Sequence, residues 1–139
     1  MVQLATRQRT IVLDGLALDH SMQELLQPLL GDAQVYNVFH GDIKHMSSLD
    51  ASHGIMVDGP IIDLAEKALW LDGVREDGGF RSLRTLCEVY LELELPSLPS
   101  MGSWLDRPLP EIMLQRAALD AHVLILIKDR AEWSGNERQ

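Results

Sequence analysis

Short alternating stretches at the start of the chain give way to longer stretches with helical spacing, and the two kinds then interleave. Residues 2–6 (VQLAT) and 9–13 (RTIVL) read as two strands joined by the polar pair Arg7-Gln8, the layout of a hairpin. Asp14-Gly15 ends the pairing. Ser21-Met22-Gln23-Glu24 has the form of a capping box, in which the serine oxygen accepts from backbone N–H and the glutamate reaches back. The helix it opens is expected to reach Leu30, to stop near Gly31 and to be distorted in its last turn by Pro28, with Leu25, Leu26, Leu29 and Leu30 as its buried stripe. QVYNVF, residues 34–39, has strand composition and runs through the tight turn His40-Gly41 into a helix over about 42–52. Residues 55–57 form a short extended piece, and Asp58-Gly59-Pro60 a turn whose proline opens a helix over 61–71. A Gly- and charge-rich loop, 72–79, precedes a helix capped by Ser82, with Leu83, Leu86, Cys87 and Tyr90 on one face. A Pro/Ser connector over 96–103 follows.

The last pattern dominates the chain. Pro108 and Pro110 suit a helix entry, and nothing after Glu111 breaks a helix until well past Ile127. Its second half is apolar almost all round, the mark of a buried helix. One carboxylate, Asp120, interrupts that run. An ionised carboxylate there is costly unless paired, hydrogen-bonded or bound to a cation, so Asp120 is either half of an ion pair or a metal ligand. Strands alternating with helices argue for an α/β domain over residues 1–131, with 132–139 as a frayed polar tail.

Composition narrows the partners. A formal charge of −9 is not that of a dedicated nucleic-acid binder, so any phosphate contact must come from a local basic patch. The single cysteine, Cys87, lies in an apolar helical pattern and reads as a buried structural thiol. No apolar run has the roughly 18 residues of a membrane span, and the N-terminus lacks the layout of a signal peptide, which leaves an intracellular setting, nuclear or cytoplasmic. The 72–79 loop lacks phosphate-cradle spacing, which excludes a nucleotide P-loop.

The stretch RPLPEIMLQRAALDAHVL resembles the last motif of the ribonuclease D family of 3′-5′ exonucleases, including its exosome-associated branch. Trp104, Arg107, Pro108, Leu109, Leu114, Ala117, Asp120 and Leu124 stand where that motif has the same residues. Weaker segments (VQLAT, TIVLDGLAL, LQPLLGD, VFHG-DI, IDLA, SLRTLCEVYL) follow in the family's order over most of residues 2–127. The resemblance implies a ribonuclease H-like mixed sheet with flanking helices. It implies removal of nucleotides from the 3′ end of single-stranded RNA, or DNA, with Mg²⁺ or Mn²⁺, and leaves room for a protein partner.

Such enzymes place two divalent ions about 4 Å apart to activate water and stabilise the leaving oxygen, which requires several carboxylates. The resemblance assigns Asp42 and Asp120 as catalytic metal ligands. The family's D-x-E pair has no counterpart, because residues 2–6 correspond to its second strand; the first, central strand is expected upstream of Met1. The chain also departs from the family at a tyrosine, where Arg116 stands, and between Gly41 and Asp42, where a few residues are absent. Arg116 lies four residues before Asp120 and can pair with it, and it cannot act as a tyrosine hydroxyl does. His40, Lys44, Arg107 and Arg116 are the candidates for contact with nucleic acid, with Arg81 and Arg84 as further cations. Against each stands a bland alternative: His40 ending a strand and capping a helix, the arginines as solvated surface charges, His45 and His53 on a solvent-leaning helix, Asp63 as a structural acid. Two readings stay open, a metal-dependent exonuclease domain and a catalytically inactive module of the same fold that binds nucleic acid or protein.

Overall fold

A computed structural model describes residues 1–65, 82–98 and 103–137, with the side chains of 42–44 and 132–137 outside the description. The hairpin forms as its alternation predicts. Strands β1 (Val2–Ala5) and β2 (Thr10–Leu13) pair antiparallel, Val2 opposite Leu13 and Ala5 opposite Thr10. Thr6 closes the turn: its N–H donates to the Arg9 carbonyl (2.7 Å), and its hydroxyl accepts from the Arg9 N–H (3.2 Å).

Asp14 does more than end the strand. Its carboxylate accepts from the N–H of Leu16 (3.0 Å) and Ala17 (3.4 Å), capping a short helix, α1 (Gly15–Leu18), that periodicity did not anticipate. Helix α2 (Ser21–Leu30) then starts where expected, but the capping box does not form. His20 occupies the N-cap without a side-chain bond, because the α1 turn already offers the Asp19 carbonyl to the N–H of Met22 (3.1 Å). The buried stripe is also shifted. Met22, Leu26 and Leu30 are buried four residues apart, while Leu25 and Leu29, about 100° round the helix, face solvent.

The third strand is shorter than its composition suggested. β3 covers Asn37–Phe39, because Asp32 captures the residues before it: its carboxylate accepts from the N–H of Gln34 (2.8 Å) and its carbonyl from that of Val35 (3.1 Å). Helix α3 (Asp42–His53) follows through Gly41 and ends at Gly54, both with positive φ. The helix expected from residue 61 is instead a strand at its start. β4 (Ile61–Asp63) pairs parallel with β3, Asn37 opposite Ile61 and Phe39 opposite Asp63. Two β-branched residues after Pro60 favour extension, and Pro60 offers its carbonyl to the Asn37 N–H (2.8 Å). Helical structure begins only at Leu64, and most of the expected 61–71 helix lies outside the described residues, as do the 72–79 loop and Arg81.

Ser82 caps helix α4 (Leu83–Leu91) by accepting from the Thr85 N–H (3.2 Å), as read from the sequence. Helix α5 (Glu111–Glu137) runs past Ile127 and on through the segment expected to fray. It is not buried all round. Met113, Ala117, Ala121, Val123, Ile127 and Ala131 are buried, whereas Ile112, Leu114 and Leu126 are exposed.

β1–β2 and β3–β4 form two separate two-stranded sheets, and no described strand joins them. Both rest on α5, which packs on β1, β2, β3 and α4. Two cores result. Leu64, Leu86, Cys87, Leu95, Val123 and Ile127 fill the space between β3–β4, α4 and α5. Met22, Leu26, Leu30 and Ile55 pack against Val2, Leu4 and Leu13 on the hairpin's other side. Alternate hairpin residues therefore serve α2 on one face and leave the other to α5.

Candidate functional site

The acid that interrupts the apolar run sits on α5, one turn after the arginine that ties this helix to the segment leaving α4. The Arg116 Nε–H donates to Asp120 Oδ1 at 2.7 Å, one helical turn apart. Arg116 Nη1 donates to the carbonyl of Pro96. The chain reaches that position because Glu92 ends α4 in the left-handed region and Leu95 is buried in the core just before Pro96. Buried Cys87 sits nearby: burial, and then the Asp120 charge, push its thiol above the usual range, as expected of an inert structural cysteine. Of the two states open to Asp120, ion pair or metal ligand, the described geometry is the ion pair.

The turn after β3 is built by the backbone. Gly41, not His40, holds the N-cap of α3, at φ +79; a Cβ there would meet nothing within 4 Å, so the backbone conformation, not space, favours glycine. Asp63 on the neighbouring strand fixes this turn. Its Oδ1 accepts from the N–H of Gly41 and of Ala65, both at 2.9 Å, the structural role its position suggested. His40 is partly buried at the end of β3. The side chains of Asp42 and Lys44 lie outside the described residues.

The described arginines expected to meet phosphate are engaged with partners within the chain. Arg107 makes a fork with Asp14, Nε to Oδ2 and Nη2 to Oδ1, both 2.7 Å. Its Nη1 donates to the carbonyls of Trp104 (2.9 Å) and Asp106 (2.8 Å), and Nη2 also reaches Met1 sulfur at 3.9 Å. Every N–H of the guanidinium thus has a partner within the chain. The Arg107 bonds hold the Asp14 carboxyl well below the usual range, with help from the Leu16 and Ala17 amides, and raise Arg107 in turn. Arg84 donates to the Ser97 hydroxyl (3.3 Å). Arg7 makes a second fork, with Asp129 on α5 (3.0 and 2.7 Å), which lowers that carboxyl as well. Neither fork's partner is legible from local pattern, because the pairs lie 93 and 122 residues apart.

A pair of divalent ions does not fit the described side chains. Among the described residues no group of three or more His, Cys, Asp or Glu side chains could hold a metal. Asp120 already has a cation against it.

Comparison with known proteins places this arrangement. A sequence model of 3′-5′ exonucleases matches residues 1–132. Exosome complex component 10 of Rattus norvegicus is 32% identical over 130 residues, 94% of this chain and 14% of that protein. Protein RRP6-like 3 of Arabidopsis thaliana is 30% identical over 129 residues, 93% of this chain and 14% of that protein. The chain therefore spans about a seventh of these relatives. Among solved structures, the catalytic core of RRP6 from Trypanosoma brucei, as a single-site mutant, superposes with a TM-score of 0.78 at 23% identity, over 93% of this chain and 34% of that one. Brucella melitensis NrnC superposes at 0.65 and 21% identity, over 76% of this chain and 50% of that one. The mixed α/β fold expected from the motifs, ribonuclease H-like, is the fold these structures share with it. The model's match over residues 1–132, and relatives 30% or more identical over more than nine-tenths of the chain, make this chain a member of the 3′-5′ exonuclease family.

Proposed function

We propose that residues 1–131 act as the domain of a 3′-5′ exonuclease that engages single-stranded RNA at its 3′ end, and that in the described geometry it binds without cleaving. Support for RNA over DNA comes from the relative named exosome complex component 10, and that name also suggests a protein partner. A nuclear or cytoplasmic setting goes with such a ligand; no described helix is long and apolar enough to cross a membrane. One observation carries the distinction between binding and cleavage. Asp120, the family acid whose side chain is described, is satisfied by Arg116. The family's chemistry uses Mg²⁺ or Mn²⁺, and such ions need several carboxylates free to bind them.

The other reading, hydrolysis with Asp42 and Asp120 as metal ligands, is favoured by the retention of Asp120 at its motif position. Purified wild type and Asp120→Asn, both checked for folding, are incubated with 5′-labelled single-stranded RNA and Mn²⁺, and binding is followed in parallel by fluorescence anisotropy. We expect RNA to be bound and its length to stay unchanged with both proteins. Stepwise shortening from the 3′ end that disappears in Asp120→Asn would return the assignment to the hydrolytic reading.

A further inference from the structure

We propose that in this chain the guanidinium of Arg116 stands in for a metal ion at Asp120, so that the acid takes no divalent cation and RNA is engaged without one. The inference deepens the RNA-binding reading and rests on it for its second half. Three observations point the same way. Arg116 Nε and Asp120 Oδ1 are 2.7 Å apart, at charge-assisted hydrogen-bond distance, and no other described residue hydrogen-bonds to this carboxylate. The guanidinium is tied at its other end to the Pro96 carbonyl, so it is held from both sides and does not sample solvent as a surface arginine would. The cation also lies deeper than the acid, 17% exposed against 39%.

That order of depth decides the competition. An ion arriving from solvent meets a carboxylate already neutralised from the protein side. To bind, it would have to sit beside a fixed positive charge, or expel a mostly buried guanidinium and leave it unpaired, and either is costly. A tyrosine or any neutral residue at 116 would impose neither penalty. No described cluster of carboxylates offsets it.

The test uses the whole chain and does not depend on activity. Mn²⁺ is titrated calorimetrically into wild type and Asp120→Asn, and we expect superimposable isotherms. A binding component present in wild type and lost in Asp120→Asn overturns the proposal. Should Asp120→Asn not fold, wild type alone decides it: under substoichiometric Mn²⁺, selective paramagnetic broadening of the amide resonances around Asp120 overturns the proposal, and unchanged linewidths there support it. RNA affinity is then compared in EDTA and in Mg²⁺ at matched ionic strength, with agreement within about threefold expected. A requirement for Mg²⁺ overturns the claim of metal-free binding. Absence of RNA binding in both buffers instead removes the proposed function, while the titration still decides what occupies Asp120.

Discussion

Residues that looked like ligand contacts turn out to be internal fasteners. Arg107 belongs to the RPL motif, yet its guanidinium joins Asp14, Trp104 and Asp106. Arg107→Ala should therefore reduce stability more than RNA affinity, in a manner that depends on pH. Asp14 is depressed when folded, against about 3.9 in an unfolded chain, so the pair's contribution is complete above about pH 5 and fades as pH falls through and below 4. Urea melts of wild type and Arg107→Ala should thus show a constant difference from pH 7 to pH 5 and a shrinking one in more acidic buffer. A difference that grows on acidification would contradict the sign. Asp63 makes a similar case for a structural acid. Asp63→Ala leaves the N–H groups of Gly41 and Ala65 without their shared acceptor, and should cost about 2 kcal/mol by chemical denaturation.

Elements are held by a few positions that tolerate little change. Gly59 lies where the turn before β4 passes the residues leading into β3: a Cβ there would stand 2.1 Å from the Val35 carbonyl oxygen and 2.7 Å from that of Asp32. Backbone cannot yield as a side-chain tip can, so Gly59→Ala should destabilise by about 3 kcal/mol or more, and thermal melting would reveal it. On the other side of the molecule, Leu86 of α4 is fully buried against Val123 and Ile127 of α5. Leu86→Ala should cost about 3 kcal/mol, measured as a fall in the urea midpoint at unchanged slope. Most elements were legible in the sequence because their periodicity is strong, as at Leu83 to Tyr90. Those misread have physical reasons. The capping box at Ser21 is pre-empted by a four-residue helix that Asp14 nucleates, and the four leucines point to a stripe on α2 whose axis Met22 in fact sets. Pro60 suits a helix entry, so local pattern points to a helix at Ile61 and Ile62; the strand forms because β3 lies beside it, and that neighbour is invisible to local pattern.

At the level of the whole molecule, charge sets how nucleic acid can be held. The net charge is −9, and three of the twelve Lys and Arg residues, Arg7, Arg107 and Arg116, are committed to carboxylates of the chain itself, so the whole molecule opposes phosphate. The salt dependence of RNA binding should be shallow, a slope equivalent to about two phosphates or fewer, measured by anisotropy across a KCl series. A steep slope would mean a basic surface these residues do not describe. Of the candidate site, the sequence revealed the anomaly: a carboxylate in an apolar helix with an arginine one turn earlier. It could not reveal the third member, the Pro96 carbonyl, nor the partners of Arg7 and Arg107, because each depends on how distant segments meet. Those same long-range ties bear on how the chain is made. The β1–β2 hairpin is synthesised well before α5: Arg7 waits for Asp129, 122 positions later, and the hairpin's free face waits for α5. At ordinary elongation speed that delay is on the order of ten seconds, during which a two-stranded ribbon with open apolar faces must stay soluble. Helix α5 is thus what covers the hairpin, and a nascent chain stalled before it presents that open face to chaperones.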